Sequence, residues 1–202
     1  DVFFLPLAVK NPAKLEGLSP WVLARRIPDF LHQVINQGES GPTGMLEVQT
    51  PPGGEQPVEW VRMVEMVPAD EAFAMLPPTA KVRAILTGSL ELCEGRLAIE
   101  MVVHMREADD EPSVEARVQI EVSLEDPVRG LCKLARRLAR LIGLKYQDPP
   151  AVLMTRTGLA FFRFLEGLDG SALLSGDLEI EVQDDAESLM RPYSDALRLD
   201  PQ

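Results

Sequence analysis

Apolar and polar positions alternate with two different periods along this chain, and the change of period marks its elements. Val2 to Val9 is an almost purely apolar run, the pattern of a strand buried on both faces, with Pro6 unable to donate to a ladder on one side. Ser19-Pro20 reads as a helix start, Ser as cap and Pro as first helical residue. Trp21, Leu23, Ile27, Phe30, Leu31, Val34 and Ile35 then recur at helical spacing as one buried face, with Pro28 expected to kink or restart the helix and Gly38 to end it. Glu39 to Gly44 reads as a loop. Met45 to Thr50 and Pro57 to Val67 read as two strands paired across the Pro51-Pro52-Gly53-Gly54 turn. Ala69 to Leu76 has helix-forming composition and stops at Pro77-Pro78.

The strongest signal is a period of two from Val82 to Val122. Val82 to Leu92 is a long strand, Glu94-Gly95 a tight turn, and Arg96 to Met105 a second strand with Leu97, Ile99, Met101 and Val103 on one face. Beyond the acidic turn Glu107 to Glu111, Val114, Ala116, Val118, Ile120 and Val122 face one way and Glu115, Arg117, Gln119 and Glu121 the other. A meander of three antiparallel strands follows from this. Asp126-Pro127 then opens a helix with Val128, Leu131, Leu134, Ala135, Leu138, Leu141 and Ile142 as its apolar stripe and Gly143 as its end. Tyr146 to Met154 is a linker, Thr157 to Leu168 an apolar helix, Asp169 to Asp177 a Gly- and Ser-rich turn, and Asp185 to Leu199 a last helix with Pro192 in its middle. The expected fold is thus α/β with an α+β tendency. It is a mixed, largely antiparallel sheet of about five strands with helices packed on it, over residues 1–147, followed by a helical hairpin over 148–202.

Composition narrows the function classes. The chain has 202 residues, 46% hydrophobic and 26% charged, enough to build a core. Its formal net charge of −12 repels phosphate backbones and anionic membranes, so no nucleic-acid partner is expected. No apolar stretch approaches the roughly 18 residues of a membrane span, so no membrane insertion is expected in this segment. No basic segment with an apolar run precedes Val2, and the cytoplasm is the favoured compartment, with an upstream signal or anchor left open.

Candidate chemistry is sparse. Cys93 and Cys132 lie far apart with no metal-ligand spacing and read as two buried thiols. His32 and His104 show no H-x-x-x-H or H-E-x-x-H pattern, so no metal or cofactor is expected. Gly88-Ser89 lies inside a strand and lacks the G-x-S-x-G elbow. The Gly-rich stretch Gly38 to Gly44 lacks the Lys-Ser/Thr ending of a phosphate loop. No catalytic set emerges. What stands out is a basic face on the helix after Asp126: Arg129, Lys133, Arg136, Arg137 and Arg140, either a solvated face pairing with nearby acids or a patch for an acidic partner.

Two stretches carry a resemblance. The opening Phe4-Leu5-Pro6-Leu7, the Ser19 to Gln37 helix, Val82-Arg83-Ala84-Ile85-Leu86-Thr87-Gly88-Ser89, Gly95-Arg96-Leu97 and the helix from Leu124-Glu125-Asp126 to Leu141-Ile142-Gly143-Leu144 together resemble the TolB amino-terminal-like α/β domain of bacterial regulatory proteins. Tyr193, Ala196, Leu197, Leu199, Asp200 and Pro201 resemble the second helix of a tetratricopeptide repeat, with Thr157 to Leu168 as the first. The resemblance implies a non-enzymatic protein-protein interaction or regulatory module, with a small-ligand or nucleotide sensor as the alternative. Unidentified protein partners would meet the basic face or Tyr193 and Leu197, and a weak homodimer through the C-terminal helices is a further expectation.

Overall fold

In the computed structural model, which describes residues 1–12, 18–37, 43–49, 60–63, 65–76, 80–93, 95–106, 112–149, 157–175 and 185–200, the opening apolar run forms two strands instead of one. These are β1 (Val2–Phe4) and β2 (Ala8–Asn11), and both pair in parallel with the same long strand. The break falls at Leu5–Leu7, where Pro6 has no N–H to give. The Leu7 N–H leaves the ladder there and donates to the Ala24 carbonyl at 2.9 Å.

That carbonyl belongs to helix α1 (Pro20–Asn36). In a regular helix it would accept from residue 28, but residue 28 is proline. The deficit left by Pro28 is therefore filled by the N–H that Pro6 displaced from the sheet. The helix consequently runs on through Pro28, where the sequence suggests a restart. Ser19 occupies the cap position without a side-chain bond, and its carbonyl accepts from Leu23. Leu23, Ile27, Leu31, Val34 and Ile35 are buried as the periodicity implies, whereas Trp21 points to solvent from the first turn.

After α1 the chain returns as β3 (Thr43–Met45), parallel to β1, so a strand occupies the end of the stretch read as a loop. Strands β4 (Glu47–Gln49) and β5 (Trp60–Arg62) form the expected antiparallel pair, and helix α2 (Ala69–Ala74) follows. Then come β6 (Ala84–Cys93), β7 (Arg96–Arg106) and β8 (Pro112–Ser123), the meander foreseen from the alternation. Gly95 makes the tight turn at φ 66°. The acidic turn Glu107 to Glu111 and the Pro51 to Gly54 turn lie outside the described residues. The main sheet runs β3-β1-β6-β7-β8, with β2 extending β1 along β6. The fold is thus mixed α/β as expected, a six-stranded mixed sheet with helices packed on it, in which three short pairings are parallel and the two long ones antiparallel.

Helix α3 (Pro127–Leu141) begins with the Asp126 carboxylate accepting from the Arg129 N–H. It covers one sheet face together with α1, and α4 (Gly158–Ser175) packs on both of these helices. Leu86, Leu90, Leu97, Ile99, Met101, Val103, Val118 and Val122 from the sheet meet Leu131, Leu134 and Leu138 there. Each such side chain contributes about 1.5–3 kcal/mol by leaving water. Leu141, assigned to the same stripe, is 46% exposed and lies beside β8, while Ile142 is fully buried. On the opposite face Ala72 and Phe73 of α2 pack with Leu5, Leu46, Val82 and Ile85, and the helix also touches β8. Cys132 is buried, with burial pushing its thiol pKa up, but Cys93 ends β6 in the open, so only one of the two thiols is a core residue.

The tail corrects another expectation. Residues 169–175, read as a turn, continue α4 to Ser175. Helix α5 (Ala186–Leu199), capped by Asp185 on the Ser188 N–H, runs unbroken through Pro192 and packs antiparallel on α4. Gly170 is required there: a Cβ would collide with the Leu189 carbonyl of α5. Phe161, Phe162 and Leu165 join the same buried cluster as the sheet, while Leu159, Phe164 and Leu197 remain exposed. Among the described residues no helix is long and apolar enough to cross a membrane.

Leu134→Ala and Leu138→Ala should each cost about 2–5 kcal/mol in a denaturant titration, because each leaves a cavity under the sheet. Arg140→Ala on the exposed side of the same helix should leave the transition where it is. Equal losses from both faces would contradict this packing.

Candidate functional site

Four groups of polar or cavity-lining side chains stand out among the described residues. The first is a buried charge network between α1 and α4. Arg25 holds Asp169 through both oxygens, Nε at 3.0 Å and Nη2 at 2.5 Å. Arg26 Nε reaches the same carboxylate at 3.0 Å, and its Nη1 reaches Asp29 at 3.0 Å. His32 and Gln33 complete the shell of Asp29. Arg26, Asp29 and Asp169 are only 4%, 7% and 2% exposed, so the network is structural and closed to substrate. Nothing in the Gly- and Ser-rich stretch around Asp169 announced this role. The available signal was on α1, where Arg25, Arg26 and Asp29 interrupt an otherwise apolar helix.

The second cluster is a cavity of about 530 Å³ between α1, the start of α3, α4 and α5. Phe30, Phe161, Phe164, Tyr193 and Leu197 form most of its apolar wall, with Gln33 and Gln37 at its rim. Phe30 and Phe161 meet edge to face at 5.2 Å, and Phe164 and Tyr193 lie 5.9 Å apart. Burial raises the Tyr193 hydroxyl pKa, so it is a neutral donor at physiological pH. Two sequence-derived candidates, Tyr193 and Leu197, thus come together in one wall. Leu197 is 70% exposed at its mouth.

The third is the basic face of α3. Arg129, Lys133, Arg136, Arg137 and Arg140 are all exposed, as the periodicity implies. Arg136 turns to the following segment: it binds both Asp148 oxygens at 2.6 and 2.8 Å and sits 5.5 Å over the Tyr146 ring. Arg129, Lys133, Arg137 and Arg140 have no ion-pair partner among the described residues. Arg137 and Arg140 instead line a groove of about 370 Å³ against β8, and the structure adds Arg117 to them from the strand. The basic face and the Tyr193–Leu197 pair are therefore two separate places on the molecule.

The open face of the sheet is polar. Lys10, Gln119 and Arg117 surround Glu100, whose pKa is lowered chiefly by the Lys10 hydrogen bond at 3.1 Å. Thr87 Oγ1 and His104 Nε2 are 2.8 Å apart, and burial lowers the imidazole pKa, with Arg117 adding to the effect. The two residues sit on neighbouring strands, and the pair reads as a cross-strand hydrogen bond. Among the described residues no three His, Cys, Asp or Glu side chains are grouped to hold a metal ion.

Comparison with known proteins returns no matching family model, no matching curated protein and no matching solved structure.

Asp169→Asn should destabilise the chain by about 3–5 kcal/mol in urea, since it removes the one carboxylate that holds the part-buried Arg25 and half of the hold on the buried Arg26. Arg96→Ala, at an exposed cross-strand pair, should produce no shift of that size. An unperturbed midpoint for Asp169→Asn would show that the network does not form.

Proposed function

We propose that this chain is a non-enzymatic protein-interaction or regulatory module whose contact surface is the basic face of α3. The observation that carries the reading is the set of four exposed cations, Arg129, Lys133, Arg137 and Arg140, with no ion-pair partner among the described residues of a chain of net charge −12. Thirty-two acidic side chains are available in the sequence to neutralise them. Leaving them unpaired in one stripe concentrates positive potential where the rest of the surface repels it, which favours an acidic protein surface as partner. The resemblance to TolB amino-terminal-like and tetratricopeptide-containing regulatory proteins points the same way.

Affinity capture with the whole chain and with an Arg129→Glu/Lys133→Glu variant tests this. The variant should fold normally by circular dichroism and lose the proteins that the unaltered chain retains. Recovery of the same proteins by both would overturn the reading.

A second reading is supported by the cavity beside Tyr193. Its aromatic wall and polar rim suit a small, largely apolar ligand with one or two hydrogen-bonding groups, which supports a small-ligand sensor. In a thermal-shift screen of nucleotides and metabolites, such a ligand should raise Tm in a dose-dependent way, and Leu197→Glu at the cavity mouth should abolish the rise. A rise that survives Leu197→Glu would place the ligand elsewhere.

A further inference from the structure

The groove between β8 and the C-terminal half of α3 combines three features that occur together only there among the described residues. The first is an open sheet edge. β8 is twelve residues long and among the described residues pairs only with β7, so alternate residues turn their N–H and C=O groups away from β7. The second is an apolar floor, with Val118 and Ala116 from the strand and the half-exposed Leu141 from the helix. The third is charge: Arg117 on the strand and Arg137 and Arg140 on the helix, the last two without an ion-pair partner among the described residues.

Resting on the interaction reading above, we infer that this groove binds an extended acidic segment of a partner protein, which adds to the sheet as a further strand along β8. Backbone bonds to the outward edge give the added strand its register, and its side chains alternate between the two sheet faces. On the helix side, carboxylates at every second position reach Arg137 and Arg140, which lie three residues apart on one helical face. On the other side the strand meets Arg117. A second copy of this chain is a poor occupant. Pairing β8 with its own symmetry mate would bring two sets of these arginines together in one interface. A nucleic acid is disfavoured by the net charge of −12 and by Glu100 and Glu121 on the adjoining sheet face. A short acidic peptide suffers this long-range repulsion far less than a polyanion does.

The probe is a fluorescein-labelled octapeptide alternating Glu and Val, titrated into the whole chain and followed by anisotropy. Binding should be saturable and should weaken at least about tenfold with Arg137→Glu/Arg140→Glu, a loss of about 1.4 kcal/mol. The same peptide N-methylated at alternate residues keeps its charge but cannot donate to an edge, and should not bind. In the complex, amide hydrogen exchange should slow at alternate residues of β8. Equal binding of the methylated peptide, or unchanged exchange along β8, would overturn strand addition while leaving a basic contact surface intact. No saturable binding of the alternating peptide would overturn the inference, as would a single-stranded oligonucleotide that displaces it at equal concentration. Loss of captured proteins in the Arg129→Glu/Lys133→Glu variant is read separately, so failure at the groove and failure of the interaction reading are distinguishable.

Discussion

One carboxylate holds the two ends of this chain together. Asp169, 2% exposed, accepts from Arg25 and Arg26 at once, and through Arg26 it is linked to Asp29 and His32. A buried ionic network of this kind gains little net stability over apolar side chains of the same size, because desolvation offsets most of the attraction. Its consequence is geometric. The bidentate grip of Arg25 fixes the rotation of α4 on α1, and slipping α4 by one residue would leave Asp169 and Arg25 without each other and Arg26 with Asp29 alone. With that rotation fixed, Phe161, Phe162 and Leu165 join the buried cluster against α1 and α3, Gly170 faces the α5 backbone, and the cavity beside Tyr193 takes its shape.

The position of α1 has its own constraint, made of two prolines. Pro6 takes a donor from the sheet and Pro28 takes a donor from the helix; the surviving Leu7 N–H and Ala24 carbonyl answer each other. Either proline alone would leave a buried backbone group unsatisfied, at a cost of about 1–3 kcal/mol. Together they make a single bond from sheet to helix at the point where β1 gives way to β2.

This explains which parts of the fold were legible from residues alone. The meander of β6, β7 and β8 was, because a period of two with one wet face admits few alternatives and Gly95 marks the turn. Helix α3 was too, with Asp126, Pro127 and Gly143 defining its ends. The split of β1 from β2 was not, since it depends on where a displaced N–H finds an acceptor more than a dozen residues away in the chain. Asp169 was misread for a related reason. Glycine and serine around a carboxylate carry the local signature of a turn, and only two arginines brought from α1 make that carboxylate a helical core residue. Of the site candidates, the exposure of the α3 cations followed from periodicity. Their division between Asp148, open solvent and the β8 groove did not, because it depends on how α3 lies against the strand before it.

The placement of those cations also bears on a problem that every sheet protein has. A long edge strand such as β8 is a template for unwanted pairing, and natural edges are commonly blunted by charge. Beside the helix the charge is positive, carried by Arg137 and Arg140, while the strand itself mixes Arg117, which faces Glu100, with Glu115 and Glu121. Acidic blunting would have been the economical choice for this composition and would have repelled acidic segments of every source. Cationic blunting still discourages a second copy from pairing edge to edge, since like charges would meet across the two-fold axis. It leaves the edge open to a segment of opposite sign. Under the strand-addition proposal the same arginines would separate self-association from recognition by charge, and the −12 background would extend that discrimination to polyanions, whose length brings them within range of the surrounding carboxylates.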